Sequence, residues 1–582
     1  MSSKTNIYRG YSAAQQRHFD LEPSPGRERN RFKILDRNYM TFNAGDLVPF
    51  LHFQILPGDN LYFRPRHLVR LSNALVSPLM DEIIVSYYFF KSYNRFVFDD
   101  FKAFMGEYVQ RDPDYDESGN NTGGESLTDL PYNQPGQYEL PTLKIPGSTS
   151  SGPAFQIQSL YDYFGLPYDV GNSGYEIQTL KLRHYNLIYN LYFRDENLQQ
   201  LAPVPTSMGP DKLSQYKVLK VIKYHDYLTG ALPFLQKGPS VSIGLIGDVP
   251  INWATGDVVG TQAQFAVVQS TGLPGVPITQ LRNSTTGGTL PIGTVQNLVA
   301  NFSLAQQIAL AQIRLGFQLQ RFYEGQARSG SRYFEFVKFM FDVYIPDTEL
   351  QQPEFIGGGK FYININPVTQ TSQTQGEASP LGTLAAFGVA YHREPNTIHC
   401  FSKEHGYVLG LMCVRTNNSY QQGLSRDWSY RDRFDFYTPT LAHLAEQEVK
   451  NKELCCTGIP DYDDGTFGYI GRYDEYRTQQ TRICGYFRSN AKNPAGQLGS
   501  LDTYHLGQFW DVSNPGSAPA FSGLPHLNAN FLIQSKTEID RAMNIPSSAV
   551  NNIPQFLAIS VTEIDGTRVV SKNGIPGFAD HF

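Results

Sequence analysis

The chain has 582 residues, of which 41% are hydrophobic and only 18% charged, and its formal net charge is −6 at pH 7. A chain of this length can bury a large core. The negative charge disfavours a dedicated nucleic-acid-binding protein, which would carry a basic surplus. An aromatic share of 13% with few charges is typical of a β-rich protein with extensive buried contacts, including contacts with other subunits.

The N-terminal residues MSSKTNIYRGYSAAQQRHFD lack the apolar stretch of a signal peptide. The longest apolar run, Ile83 to Phe90, is far shorter than the roughly 18 residues that a membrane-spanning helix needs. Five cysteines without CxxC spacing fit a reducing compartment. We therefore expect a protein that is cytoplasmic when it is made.

Residues 1–40 are polar and are predicted to form an N-terminal arm. Within the arm, GRERNRFK places four cations on alternate positions: Arg27, Arg29, Arg31 and Lys33. In an extended chain all four side chains lie on one side. Two interpretations stay open, a solvated or subunit-interface arm and a surface that contacts phosphates.

The stretch TFNAGDLVPFLHFQILPGDN predicts a strand followed by a tight turn. Leu51, Phe53 and Ile55 alternate with polar residues, the period-2 pattern of a half-buried strand. This pattern places the three apolar side chains in a core. Residues 56–59, Leu-Pro-Gly-Asp, then have Pro and Gly at the central positions of a type II turn.

Further short strands follow, separated by turn residues: NLYFRP, EIIVSYYFF, VSIGLIG, FYINI, GYVLGLMCV and FLAISV. Their spacing favours an all-β sandwich or barrel over alternating β and α units. Three helices are also predicted: FDDFKAFMG, a segment that starts at a capping box of Ser303 and Gln306, and TLAHLAEQEVKNKEL after Thr438.

Two segments have the composition of long surface loops. Residues 112–153 are rich in Asp, Asn, Gly, Ser and Pro. Residues 246–302 contain only Asp248, Asp257 and Arg282 as charges among many Gly, Thr, Val and Pro. The second segment is predicted to project from the body of the protein.

No motif indicates catalysis. The GGGK run, Gly357–Lys360, lacks the Ser or Thr and the helix of a phosphate-binding loop and predicts a turn. Asp112, Asp114 and Asp116 occupy the first, third and fifth positions of a calcium loop, but Glu117 replaces the Gly of its sixth position. They are a weak metal candidate, and an acidic solvated loop is the alternative.

A different class of function is a secreted β-sandwich protein that binds or cleaves glycans. The Tyr, Trp and Asn content suits stacking against sugars. The missing signal peptide and the absence of a convincing carboxylate pair argue against this alternative.

Several blocks of the sequence carry a resemblance to a known family. TFNAGDLVPFLHFQILPGDN continues through NLYFRPRHLVRLSNALVSPLMDEIIVSYYFF to NRFVFDDFKAFMGE. Other blocks are LRHYNLIYNLYFRDENLQ, KYHDYLTGALPFLQKGP, QQPEFIGGG, SKEHGYVLGLMCVR, SYQQGLSRDWSYRDRFDFYTPTLAHLAEQEVKNKEL and IPGFADHF. They cover most of residues 41–582, and their combination is specific although each alone is weak. Together they resemble the major capsid protein family of the Microviridae, small icosahedral bacteriophages with single-stranded DNA, and the gokushovirus-like branch in particular.

This resemblance implies a mainly β fold, an eight-stranded antiparallel jelly roll with long inter-strand insertions that hold a few helices and a projecting loop. It implies a T=1 shell of 60 copies around a circular single-stranded DNA genome, with no enzymatic activity and no cofactor. The body would comprise residues 41–245 and 303–582. Residues 246–302 would be the variable insertion at the threefold axes and a candidate contact with a host cell-surface receptor. The location would be the virion, after assembly in the host cytoplasm.

The family also implies partners: a small basic internal DNA-binding protein, a scaffolding protein during assembly and a DNA pilot protein. Residues 426–437, RDWSYRDRFDFY, alternate charges of both signs with rings, the residue types that anchor interfaces. We expect Arg426, Trp428, Arg431 and Arg433 to lie at a subunit interface or, like the cations of the arm, against DNA.

Overall fold

The computed structural model describes residues 29–105 (except 74, 76–78 and 80), 139–239 (except 150–151), 310–328, 332–347 (except 345), 351–369, 384–442, 446–488, 525–543 and 553–572, with five short strands between residues 251 and 300. The strands, in chain order, are β1 (Asn30–Phe42), β2 (Val48–Ile55), β3 (Asn60–Leu71), β4 (Ile83–Tyr93), β5 (Thr142–Ile145), β6 (Tyr175–Gln178), β7 (Ile251–Trp253), β8 (Phe265–Val267), β9 (Gln280–Asn283), β10 (Thr289–Pro291), β11 (Leu298–Ala300), β12 (Glu354–Tyr362), β13 (Asn364–Thr369), β14 (Leu384–Arg393), β15 (Ile398–Phe401), β16 (Gly406–Thr416), β17 (Gln447–Lys450), β18 (Thr466–Ile470) and β19 (Phe556–Arg568). The helices are α1 (Phe101–Phe104), α2 (Leu160–Tyr163), α3 (Leu180–Tyr192), α4 (Leu310–Arg328), α5 (Tyr333–Phe341), α6 (Asn451–Leu454), α7 (Pro460–Asp463), α8 (Ala529–Leu532) and α9 (Thr537–Ala542).

Six strands form the larger antiparallel sheet, in the order β1-β19-β3-β14-β13, with β15 pairing to β3 beside β14. β1 and β19 pair along their whole length, from Asn30 opposite Arg568 to Phe42 opposite Phe556. β19 therefore lies between two strands from the other end of the chain.

Four strands form the smaller antiparallel sheet, in the order β12-β4-β16-β2. The GGGK run lies inside β12, so it forms a strand and not the predicted turn. A Cβ atom at Gly359 would lie 2.6 Å from the Tyr87 hydroxyl of β4. A Cβ at Gly358 would lie 2.4 Å from the carbonyl oxygen of Tyr87, so the close approach of β4 requires glycine at both positions.

The inner faces of the two sheets pack against each other. The ring of Phe50 (β2) lies 5.0 Å from that of His67 (β3), and the ring of Phe63 (β3) lies 5.8 Å from that of Phe89 (β4). All four side chains are at most 1% exposed, so the aromatic pairs fill a dry core. The described part of the chain is mainly β with antiparallel sheets, which confirms the predicted class at that level.

β2 is the strand predicted in the TFNAGDLVPFLHFQILPGDN stretch. Leu51 and Ile55 are buried in the core between the sheets, and Phe53 packs against it while partly buried. The N–H of Asp59 donates to the carbonyl of residue 56 at 3.1 Å, and Gly58 has a φ of +87°, as a type II turn requires. β2 is the second long strand in chain order, and its turn leads directly into β3.

Part of the predicted N-terminal arm belongs to the larger sheet. Residues 30–40 lie in β1, where Met40 is buried in the core and Ile34 packs against it. The cations alternate on the opposite face of the strand. The overall polarity of the segment therefore concealed one apolar face, and residues 1–28 lie outside the described part of the chain.

Two predicted helices are shorter than expected. The segment TLAHLAEQEVKNKEL contains a short 3₁₀ turn, β17 and α6 in place of one helix, because β17 pairs with β18. In FDDFKAFMG only α1 is helical; Phe98 and Phe101 are buried, but Met105 is 52% exposed. The capping box predicted at residues 303–306 lies outside the described residues, and the helix that follows is α4.

A second core covers the outer side of the smaller sheet, where α3 packs on β4 and β16. Arg183 of α3 forms an ion pair with Asp211, with 2.7 Å between Nη2 and Oδ1 and side-chain exposures of 0% and 2%. The hydroxyls of Thr179 and Tyr216 also donate to this carboxylate, both at 2.6 Å. The buried charge is therefore paired and fully hydrogen-bonded, as burial of an ion requires.

The chain divides into two compact units, residues 1–233 with 331–582 and residues 234–330. The smaller unit contains α4, the three-stranded sheet β10-β9-β8 and the pair β11-β7. Leu315, Leu319 and Phe322 of α4 are 59%, 38% and 40% exposed. In the described part of the chain, no helix combines the length and apolar character needed to cross a membrane.

Candidate assembly and nucleic-acid interface

Two cations of the predicted arm lie on the outward face of β1. Arg31 donates two hydrogen bonds to Asp565 of β19, Nε to Oδ1 at 2.8 Å and Nη2 to Oδ2 at 2.5 Å. Lys33 Nζ lies 2.7 Å from Glu563 Oε1. The hydrogen bond from Arg31 lowers the pKa of Asp565, so this carboxylate stays ionised. Both cations are exposed, yet β19 partly neutralises them.

Of the other candidate cations of the arm and the candidate metal ligands, only Arg29 lies in the described part of the chain. Arg29 is exposed and directly precedes β1. Arg27 lies outside the described residues, as do the weak metal candidates Asp112, Asp114 and Asp116. Among the residues that the structure does describe, no group of three His, Cys, Asp or Glu side chains is arranged to hold a metal ion.

Arg426 is fixed by hydrogen bonds and ion pairs to other residues of its own chain. Its Nη1 donates to the carbonyl of Glu448 at 2.7 Å and lies 3.2 Å from Glu453 Oε1, and its Nε lies 3.7 Å from Glu475 Oε1. Burial raises the pKa of Glu453, and the nearby guanidinium opposes that effect. Two carboxylates thus neutralise Arg426, which anchors the start of the loop that follows.

Residues 426–437 form an ordered loop that presents rings and cations outward. The Asp435 carboxylate accepts hydrogen bonds from the N–H groups of Arg431 and of the next residue, both at 2.8 Å. Trp428 is 77% exposed. The guanidinium carbon of Arg433 lies 4.8 Å from the ring centre of the adjacent phenylalanine, a cation–π contact.

The same loop exposes three more large rings. Phe434, Phe436 and Tyr437 are 57%, 58% and 50% exposed. Contiguous exposed apolar surface on a soluble protein marks an interaction site. The structure therefore exposes Trp428, Arg431 and Arg433 on one loop, on a surface suited to a macromolecular contact, whereas Arg426 is partly buried in its ion pairs.

A second cationic surface lies on the outward face of the larger sheet. Its described cations are Arg31, Lys33 and Arg37 on β1, Arg64, Arg66 and Arg70 on β3, and Arg393 on β14. Glu563 and Asp565 of β19 are the carboxylates on the described part of this face. Glu563 serves several cations at once, since it lies 2.7 Å from Lys33, 3.1 Å from Arg66 and 3.9 Å from Arg64.

The strand register arranges one end of this face in three rows without a carboxylate. The rows, read from β1 across β19 and β3 to β14, are Arg37, Val561, Arg66 and Arg393; Tyr39, Ile559, Leu68 and Tyr391; and Thr41, Leu557, Arg70 and Val389. Tyr39 and Tyr391 are 71% and 68% exposed. Arg37, Arg70 and Arg393 have no acidic partner among the residues that the structure describes.

Sequence spacing does not reveal this grouping, because its members come from strands that are far apart in the chain. The available signal was local: in FRPRHLVR the cations Arg64, Arg66 and Arg70 fall on one face of a strand. Only the pairing of β3 with β19 and β14 brings Arg37 and Arg393 beside them.

Comparisons with known proteins agree on one family. The family model described as capsid protein (F protein) matches residues 23–565. Three similar proteins are each named capsid protein VP1: that of Chlamydia phage 1 is 34% identical over 97% of this chain and 98% of its own length, that of Bdellovibrio phage phiMH2K 36% over 91% and 92%, and that of Spiroplasma virus 4 28% over 91% and 91%. The chain therefore belongs to the capsid protein (F protein) family of the Microviridae and is a structural component of a phage virion, as the resemblance predicted.

Proposed function

We propose that this major capsid protein assembles as 60 copies in a T=1 icosahedral shell that encloses a circular single-stranded DNA genome. The role is structural and not catalytic. The strand order of its two sheets is the observation that supports this proposal, because it matches the order expected of a jelly roll.

The proposed fold is an eight-stranded jelly roll. The long strands, numbered one to eight along the chain, are β1, β2, β3, β4, β12, β14 with β15, β16 and β19. The larger sheet then has the order 1-8-3-6, with β13 as an additional edge strand beside strand 6, and the smaller sheet has the order 2-7-4-5. This is the arrangement of two Greek keys folded over each other, which viral capsid domains use. The long connections from β4 to β12 and from β16 to β19 would be its insertions.

We propose that the loop of residues 426–437 is buried between neighbouring subunits. Its exposed rings and arginines are the residue types that anchor interfaces. Standard interfaces bury about 1,600 Å² in total, and many modest contacts of that size would sum to a stable shell. Weak individual contacts also allow wrong contacts to dissociate during assembly.

Sedimentation or negative-stain imaging of the purified protein tests the shell. A particle of megadalton mass is expected. A species that stays at the 65.5 kDa of one chain under assembly conditions would overturn the proposal.

Residues 246–302 are proposed to contact the host surface receptor. They lie within the separate compact unit of residues 234–330 and are nearly uncharged. Deletion of 246–302 should leave shells assembled and abolish adsorption to host cells. Failure to assemble would make the segment structural instead.

Other partners are proposed from the family alone: a small basic internal DNA-binding protein, a scaffolding protein and a DNA pilot protein. The net charge of −6 supports the first of these, because a shell of this protein does not supply enough positive charge to neutralise a genome. Mass spectrometry of purified particles should find a short, strongly basic chain beside this one.

A further inference from the structure

We propose that the three carboxylate-free rows on the outward face of the larger sheet bind single-stranded DNA and line the inside of the shell. We name this surface the arginine–tyrosine face and define it by Arg37, Tyr39, Arg66, Arg70, Tyr391 and Arg393. The proposal rests on the proposed function and deepens it, because it names the surface that faces the genome.

The first support is charge. The chain as a whole is negative, yet the three rows of this face contain four arginines and no carboxylate. Off the face, Asp36 and Asp162 line the cavity beside Arg37 and Arg70, and neither forms an ion pair with these arginines in the described part of the chain. Arg66 lies directly opposite Arg393 in the register, and like charges in that position are destabilising unless an anion neutralises them. Arg66 shares Glu563 with other cations, and three arginines of the face have no described acidic partner. A polyanion is therefore the complementary occupant.

The second support is the rings. Tyr39 and Tyr391 stand at the two ends of the middle row, with the aliphatic Ile559 and Leu68 between them. Exposed rings beside cations provide stacking surfaces for bases. A duplex hides its bases within its own stack, so this combination favours a single strand.

The dimensions also fit. Adjacent strands lie about 4.8 Å apart, and alternate residues of one strand about 6.8 Å apart. The four-strand width and the three rows each then span about 14 Å, so the face is large enough to hold a short run of nucleotides. Arginine side chains on both sides of the middle row can reach the backbone of a strand whose bases lie on the tyrosines.

A contact between copies of this chain explains these features less well. Such a contact would need a surface with a matching excess of carboxylates, or it would place arginines against other cations without neutralisation. Tyrosines also anchor protein interfaces, so the excess of cations is the feature that favours DNA over a second copy. A contact between copies is therefore an outcome to be tested and not the proposal.

The test uses the full-length protein and a fluorescently labelled oligothymidylate, with binding measured by anisotropy at several salt concentrations. The triple variant Arg37→Gln, Arg70→Gln, Arg393→Gln removes three potential phosphate contacts. Since each contact on a single strand contributes about 0.7 to the slope of log K against log salt concentration, the slope should become shallower by about 2.

The matched control is Lys102→Gln, Lys144→Gln, Lys217→Gln, which removes three exposed charges from other parts of the described surface. Its slope should equal that of the unaltered protein. The variant Arg37→Lys, Arg70→Lys, Arg393→Lys keeps the charge and should also keep the slope. Circular dichroism of all variants checks that the sheet is intact.

The rings have a separate readout. Tyr39→Ala with Tyr391→Ala should weaken binding of the oligothymidylate by about 5- to 150-fold for each base that loses its stacking partner, while the salt slope stays the same. Binding of a duplex of equal length should change little. An equal loss for duplex and single strand would overturn the assignment of the tyrosines to base stacking.

An unchanged slope in the arginine-to-glutamine variant, or an equal change in the lysine control, would overturn the proposal. The same holds if that variant fails to form shells while its free form binds DNA like the unaltered protein, because the face would then be a contact between copies. Shell formation by the unaltered protein is measured separately by sedimentation. A DNA result against this face therefore leaves the shell proposal standing. A lack of shells refutes the shell and the position of the face inside it, but not the binding of DNA by the face.

Discussion

The Arg183→Met substitution is expected to destabilise the packing of α3. Arg183 Nη2 lies 2.7 Å from Asp211 Oδ1, and its Nη1 donates to the carbonyl of Val97 at 3.0 Å. Methionine fills much of the same volume but leaves the Asp211 carboxylate buried without its counter-ion. Breaking a buried pair in this way costs about 3–5 kcal/mol.

The hydroxyls of Thr179 and Tyr216 remain as donors to Asp211, so the lower half of that range is expected. The double variant Arg183→Met, Asp211→Asn removes the buried charge together with its partner. It should recover most of the lost stability, because no ion is then left uncompensated in the core.

Amide hydrogen exchange of peptides within Leu180–Tyr192 measures this effect locally. If α3 opens as one unit, a loss of about 3–4 kcal/mol corresponds to a loss of protection of about 10²- to 10³-fold. Arg431→Met, at an exposed arginine, is the matched control and should change protection very little. A loss below about tenfold for Arg183→Met, or a double variant as unstable as the single one, would refute the reasoning.

Three further predictions rest on the described contacts. Burial alone would raise the pKa of Asp211, but the hydrogen bond from Arg183 lowers this pKa overall. The stabilisation by the Asp211 carboxylate is therefore present above the ordinary Asp pKa of about 3.9 and is lost as pH falls through the lower pKa of the folded state. Limited proteolysis at about pH 5 and about pH 3 should show this loss of stability, and the Asp211→Asn variant should lack this part of the pH dependence. Gly45 and Gly458 have φ values of +81° and +78°, but a Cβ at Gly45 would lie 2.3 Å from the carbonyl oxygen of Gln534, whereas one at Gly458 would meet nothing within 4 Å. Gly45→Ala should therefore lower the unfolding temperature more than Gly458→Ala, and equal effects would contradict the close approach. Trp428→Ala should leave the unfolding temperature of the free chain unchanged and lower the yield of particles by at least about tenfold; an unchanged yield would argue against the loop as an interface.

Local patterns in the sequence were informative where one strand and its turn decide the structure. The alternation of Leu51 and Ile55 and the Pro-Gly turn at Gly58 need only neighbouring residues, and both are present as expected. β1 was missed because its charged face dominates the composition of residues 30–40. The helix predicted after Thr438 failed because β17 finds a partner in β18, and tertiary pairing overrides local propensity.

The two candidate surfaces also differ in how much of each could be predicted from the sequence. Residues 426–437 are continuous in the sequence, so their alternation of rings and charges is visible in the order of the residues alone. What that order does not show is that Arg426 is neutralised by Glu453 and Glu475 while its neighbours point outward. Arg37 and Arg393 become parts of one surface only through the register of four strands, which depends on hydrogen bonds between distant segments.

The position of β19 between β1 and β3 has a consequence for synthesis. β1 and β3 leave the ribosome early, but the strand that joins them ends at Arg568. At about 5–20 residues per second, on the order of a minute passes between the synthesis of β3 and that of β19. During that interval the larger sheet has unpaired edges, which are prone to pair wrongly with other chains. A prematurely terminated chain lacks β19, so it cannot complete this sheet or present the surfaces of a finished subunit. The topology therefore excludes truncated chains from the particle.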